Sequence, residues 1–133
     1  MRRPVALRAR GVRRTLGGRG RPPVREGTGT LTGRLAGVAT WSNSPRLRGD
    51  YAYPDSRGFI TVASGGFVFF TLTGLSALSD GQGIHVLTFQ TEDPDHLWLN
   101  TVLAIGEGAI DVERRVLAMR YYECIGTVLP AFE

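Results

Sequence analysis

GFITVASGGFVFFTLT, residues 58–73, decides the fold. β-Branched and aromatic residues fill two runs, residues 58–64 and 67–73, and Gly65-Gly66 between them can take the positive φ angles of a two-residue hairpin turn. With side chains alternating along a strand, Phe67, Phe69, Thr71 and Thr73 share one face of the second arm, and Val68, Phe70 and Leu72 share the other. Neither face is wholly polar, so both need cover. A sheet curled into a barrel supplies an interior on one side and leaves the other for a partner or a covering segment.

Outward from this hairpin the same period recurs. Thr28, Thr30, Leu31, Leu35, Val38, Ala39 and Trp41 predict one or two strands, with Gly29, Gly33 and Gly37 at bulges or close approaches. Residues 41–58 are rich in Asn, Ser, Pro, Asp and Gly and read as a long loop holding a short strand over residues 47–53. Residues 84–91 alternate cleanly, Ile84, Val86, Thr88 and Gln90 against His85, Leu87, Phe89 and Thr91. Asp93 can cap and Pro94 can open a single helical turn whose Leu97 and Trp98 dock inward and plug one end of the barrel. Strands over residues 101–105 and 116–125 follow. The expectation is an all-β chain, a single antiparallel, up-and-down barrel of 6–8 strands with one short helical turn, spanning residues 27–133.

Residues 1–26 differ in kind. Nine of the 16 arginines lie in the first 25 residues with no acid among them, while residues 26–133 carry seven arginines and all 12 acids. The net +4 therefore divides into a strongly basic start and an acidic remainder. Arginine mixed with Gly and Pro, without a sustained period, reads as a disordered tail. Anion or nucleic-acid binding through that tail, a transit peptide, an export signal and initiation further downstream, near Val24, are its competing readings. Export lacks the apolar segment that should follow Arg2-Arg3, and the transit reading lacks hydroxylated residues beyond Thr15. Nucleic-acid recognition by the domain itself would need a basic face, which the acidic remainder does not offer.

At 133 residues one core is expected, and no apolar run approaches the roughly 20 residues that span a bilayer. The lone Cys124 excludes an intramolecular disulfide, reads as a small buried hydrophobe and points to a reducing compartment, hence the cytoplasm. His85 and His96, without HxH or HExxH spacing, do not predict a transition-metal site. Gly81-Gln82-Gly83 and Gly106-Glu107-Gly108 lack the strand-to-helix setting of a nucleotide-binding loop, so no cofactor is expected.

The densest chemistry lies in the long loop. Arg46 and Arg48, two apart in an extended segment, point to one side with Asp50, where their donor forks could orient a carboxylate or an enolate oxygen. Trp41, Asn43 and Tyr53 complete a polar wall at a barrel mouth, with Asn100 as a further orienting amide. The competing reading is an Arg–Asp network that pins the loop. Glu123 alternates with Met119 and Tyr121, so on an interior face it becomes a carboxylate of raised pKa and a general base, and His85 is the other candidate for proton transfer. The reading is a barrel that binds a small apolar or carbonyl-bearing molecule, extending to a cofactor-independent lyase, isomerase or cyclase. The alternative is a non-catalytic structural or dimeric barrel.

Five segments in this order, WSNSPRLRGD (41–50), PDSRGFITV (54–62), TFQTEDPDHLWLN (88–100), IGEGAID (105–111) and MRYYEC (119–124), resemble the domain of unknown function 3237 family. The resemblance implies a small antiparallel barrel and no particular activity. The family usually has an Asp-Gly turn where this chain has Ser64-Gly65-Gly66, and its first strand is absent here or replaced by the arginine segment. A missing strand would leave an open seam, which a homodimer or a shorter barrel would have to cover.

Overall fold

The central hairpin forms, with its turn shifted from the expected place. Val62 closes it, accepting from the Gly65 amide at 2.9 Å and donating to the Gly66 carbonyl at 3.0 Å. Only Gly65 is left-handed, at φ 85°. This is the three-residue connection, in which one glycine relieves the strand twist after two ordinary turn residues. The arms are consequently residues 55–61 and 67–77, with Phe59 opposite Phe69 and Thr61 opposite Phe67.

The computed structural model describes residues 2–16, 24–111, 113–114 and 116–124. In chain order these form β1 (Arg2–Leu16), β2 (Val24–Leu31), β3 (Gly37–Asn43), β4 (Arg46–Arg48), β5 (Tyr51–Tyr53), β6 (Asp55–Thr61), β7 (Phe67–Ala77) and β8 (Gln82–Thr91). A 3₁₀ turn at Leu97–Thr101 leads to β9 (Leu103–Asp111) and β10 (Val116–Cys124). All pairings are antiparallel. With β4 and β5 set aside, neighbours in sequence are neighbours in the sheet, and β1 pairs with β10, so eight strands close an up-and-down barrel.

That closure corrects the expected boundary at residue 27. Arg2–Leu16, read as part of a disordered tail, is a strand paired on one side with β10 and on the other with β2. The segment lacks the apolar content to order itself, but a strand laid between two others satisfies its backbone donors and acceptors on both edges. The seam expected for a missing first strand is thus occupied. A bulge, in which Val5, Ala6 and Leu7 all oppose Tyr121, interrupts the seam's register. Residues 17–23 of the expected tail and Ile125, the expected end of the last strand, lie outside the described residues.

The interior follows the period of two. Val68, Phe70, Leu72 and Ser76 of β7 and Leu117, Met119 and Tyr121 of β10 are buried, while their neighbours Phe67 and Phe69 face out. Cover on both faces, expected from composition, is absent among the described residues: Phe67 and Phe69 are 50% and 55% exposed. Phe59 meets Phe67 edge-on at 5.7 Å between ring centres, so aromatic pairing stabilises part of this outer surface. Cys124, expected buried, is also exposed.

One end of the barrel is plugged. The turns after β2 and β6 and the 3₁₀ turn meet there, and Leu35 and Leu99 are completely buried among Val62 and Val102. At the other end β4 and β5 form an external hairpin, anchored where Tyr51 and Ala52 pair with the last residues of β7. No helix among the described residues is long and apolar enough to cross a membrane.

Candidate functional site

Between these ends the interior is not filled. A partly enclosed cavity of about 40 Å³ lies inside the barrel toward the hairpin end. Its apolar wall is Leu31, Ile60, Phe70, Leu72, Leu87 and Leu117, and its polar lining is Trp41, Ser56, His85 and Tyr121. That volume is room for roughly three waters or a fragment of a few non-hydrogen atoms.

Backbone close approach shapes two of the walls. Trp41 on β3 lies opposite Gly27 of β2 and Gly58 of β6. A Cβ at Gly27 would collide with the indole ring, so the ring occupies the interior space that a side chain would otherwise take. Tyr121 on β10 stands in the same relation to Gly106 of β9, where a Cβ would strike the phenol ring. Each glycine lets the neighbouring strand's ring lie across it instead of projecting further into the barrel.

The chemistry of the cavity centres on one contact. His85 Nδ1 and the Tyr121 hydroxyl lie 3.3 Å apart, on side chains that are both only 3% exposed. Burial pushes the Tyr121 phenol well above its ordinary pKa, so it remains protonated and available as a donor. Among the described residues the walls hold no carboxylate and no guanidinium.

The nine residues singled out from sequence do not converge. Trp41 and His85 line the cavity. Asn43, 2% exposed, accepts the Asp55 amide at 2.9 Å and fixes the start of β6. Arg46, Arg48, Asp50 and Tyr53 belong to the external hairpin, with Arg46 6.0 Å from the Tyr53 ring centre. Among the described residues neither arginine is paired with Asp50, so the expected Arg–Asp wall is not assembled. Asn100 clasps Thr91, accepting its amide at 2.8 Å and donating to its carbonyl at 2.9 Å. Glu123 lies toward the plugged end, 3.6 Å from Arg34, whose guanidinium stacks 4.1 Å from the Trp98 ring. It does not line the cavity with His85.

A second polar cluster sits at the plugged end. Ser64 donates to Asp93 Oδ1 at 2.9 Å, and His96 Nδ1 lies 2.6 Å from Asp93 Oδ2. The hydrogen bond from His96 first, and that from Ser64 after it, hold the Asp93 carboxyl below its ordinary range. Hydroxyl and imidazole both address the carboxylate, not each other, so the trio is a clamp and lacks the nucleophile–base contact of an acyl-transfer site. Among the described residues no three His, Cys, Asp or Glu side chains converge as a metal site would require. Tyr121 and Ser56 are the cavity groups that sequence reasoning missed. The spacing that places Tyr121 opposite Gly106 was in the sequence, but its meaning depends on strand register.

No family model matches the chain, and no curated protein matches it. Solved structures do. A β-barrel-like protein from Acinetobacter baumannii aligns at 16% identity and a TM-score of 0.72, over 92% of this chain and 94% of its own. A conserved protein of unknown function from Rhodopseudomonas palustris aligns at 13% and 0.73, over 94% and 97%, and one from Clostridium acetobutylicum at 12% and 0.69, over 90% and 97%. These likenesses show a shared barrel fold. Residues 27–133 are 107 of 133, about 80% of the chain, so matches over 90–94% extend into the segment that forms β1.

Proposed function

We propose that this chain is a small-molecule-binding β-barrel whose ligand seats in the interior cavity and enters from the hairpin end. One observation carries the reading: a buried hydrogen-bonding pair, His85 and Tyr121, set in an unfilled cavity whose lining is mostly apolar. Apolar walls with a few convergent polar groups are the usual make-up of such sites. The same placement extends to a cofactor-independent isomerase, lyase or cyclase, with Tyr121 donating to a carbonyl oxygen and His85 moving the proton. Glu123, engaged with Arg34, has no part in that step. We place the protein in the cytoplasm, on its single cysteine, and in the domain of unknown function 3237 family, on its five motifs.

The alternative is a structural barrel, single or dimeric. Asn43 and Asn100, whose amides bind the protein's own backbone, favour it. Native mass spectrometry of the chain purified from its own organism separates the two. The expected result is a retained small molecule that is released on unfolding. A clean apo species, monomer or dimer, whose cavity signals answer no added compound, overturns the binding reading.

A further inference from the structure

We infer that this chain pairs with a second copy of itself through the outer face of β6 and β7, each copy lodging Phe67 in a recess beside the other's Phe69. The inference is independent of the interior cavity and of any ligand in it.

The face is apolar where contact with water favours charge. Register sets Val38 and Thr40 of β3 beside Thr61 and Phe59 of β6, which in turn lie opposite Phe67 and Phe69 of β7. Beyond them Phe69 and Thr71 lie opposite Gln90 and Thr88 of β8. Side chains alternate along each strand, so all of these point outward, and none is charged. Val38, Phe67 and Phe69 are each about half exposed. The three phenylalanine rings stand 5.7 to 6.5 Å apart between centres, so they form one cluster. A contiguous apolar surface marks an interaction site where scattered apolar residues do not.

Size sets the strength of the contact. Four strands about 4.8 Å apart, followed over roughly seven residues at about 3.3 Å each, give a flat footprint of about 400 Å². Side-chain relief raises this toward, and not past, the roughly 800 Å² that each partner gives a standard interface, so a dissociable dimer in the micromolar range is expected.

A second copy is selected because knob and socket lie on one face. An open recess of about 170 Å³ lies between β7 and β8, with Phe69, Thr71, Thr88 and Gln90 around it. The Thr71 and Thr88 hydroxyls, 2.7 Å apart, hydrogen-bond to each other and so are satisfied when covered. An apolar cavity of about 150 Å³ accepts a benzene ring, so this recess has the volume for one phenylalanine side chain. Phe67 projects on one side of Phe69 and the recess lies on the other. A two-fold axis at Phe69 exchanges them: each Phe67 enters the other copy's recess, and the two Phe69 rings meet. Such a self-complementary patch is what an isologous contact requires, and it closes as a dimer. The other exposed outer pair, Leu75 and Ile84, offers no such fit, because Glu107 lies opposite Ile84 and Tyr51 of the external hairpin walls the same groove.

Sedimentation velocity of the full chain, from low micromolar to several hundred micromolar, tests the pairing. The expected result is a concentration-dependent monomer–dimer equilibrium that Phe67→Ser weakens at least tenfold, the effect of removing a central anchor. Gln90→Arg, which keeps every phenylalanine and obstructs the recess, should weaken it as far. In a Cys124→Ser background a short bismaleimide should join Phe69→Cys chains into dimers and leave Ile84→Cys chains single, although Ile84, 58% exposed, is as accessible as Phe69 at 55%. A parent that stays monomeric throughout, a dimer indifferent to both Phe67→Ser and Gln90→Arg, or cross-linking as ready through Ile84→Cys as through Phe69→Cys would each overturn the inference, and none of them bears on binding in the cavity.

Discussion

The two ends of the barrel use polar side chains in opposite ways. At the plugged end Asp93 ties Ser64 to His96 and Asn100 ties itself to Thr91, so those side chains fix where three turns sit. Toward the hairpin end His85 and Tyr121 meet each other beside empty space. Polar chemistry alone does not mark a site: a histidine near a carboxylate at one end is architecture, while a histidine near a phenol at the other faces a cavity. The space beside the group makes the difference.

Substitutions can break that contrast. Leu99 is wholly buried in the plug, and Leu99→Ala should cost about 2–5 kcal/mol by lost transfer energy and the void left behind. A lower urea midpoint should accompany unchanged shifts of the Leu72 and Leu87 methyls. If those signals move as far as the stability does, the two ends are not separable. Gly27→Ala acts on the opposite end. Its new methyl displaces the Trp41 indole inward, so overpacking should destabilise by about 1–3 kcal/mol and shift the Leu72 and Leu87 methyl signals together. Unmoved methyl signals in a folded Gly27→Ala protein would show that the indole does not set the cavity.

The smallest effect is electrostatic and confined to the plug. The carboxyl of Asp93 lies below its ordinary 3.8 in the folded state. Its contribution is therefore fully present above about pH 3.8 and is lost as pH falls through the lower folded value. Comparing urea midpoints of the parent and Asp93→Asn from pH 6 to pH 2 should show the parent's advantage shrinking only at the acid end. An advantage constant over that range would mean that the carboxylate's charge contributes nothing to the clamp.

What the sequence reveals follows the range of the forces involved. The alternation of residues 67–73 and 84–91 is a local signal and correctly places β7 and β8, whereas the Asp93-Pro94 signal marks only a turn. The 3₁₀ segment starts later, at Leu97, which is exposed, and Leu99 is the residue that plugs. β1 is different. Leu7, Ala9 and Gly11 do alternate with Arg8 and Arg10, but a bulge and a run of arginines dilute the pattern, and what orders the segment is pairing with β2 and β10, far away in sequence. Arg46 and Arg48 gave the strongest chemical signal and proved to be outside, because spacing two apart fixes a shared side without saying what that side faces. Tyr121 became legible only once register had set it over Gly106.

The β1–β10 seam joins Arg2 to Cys124 and Val12 to Val116. During synthesis β1 leaves the ribosome first, yet its second neighbour is made more than a hundred residues later, on the order of 5–20 s at ordinary elongation rates. Until then the growing chain can be no more than a curved sheet with two raw edges, each a template for pairing with another chain. Closure thus waits for β10, and the strand made earliest of the eight makes its last hydrogen bonds only then.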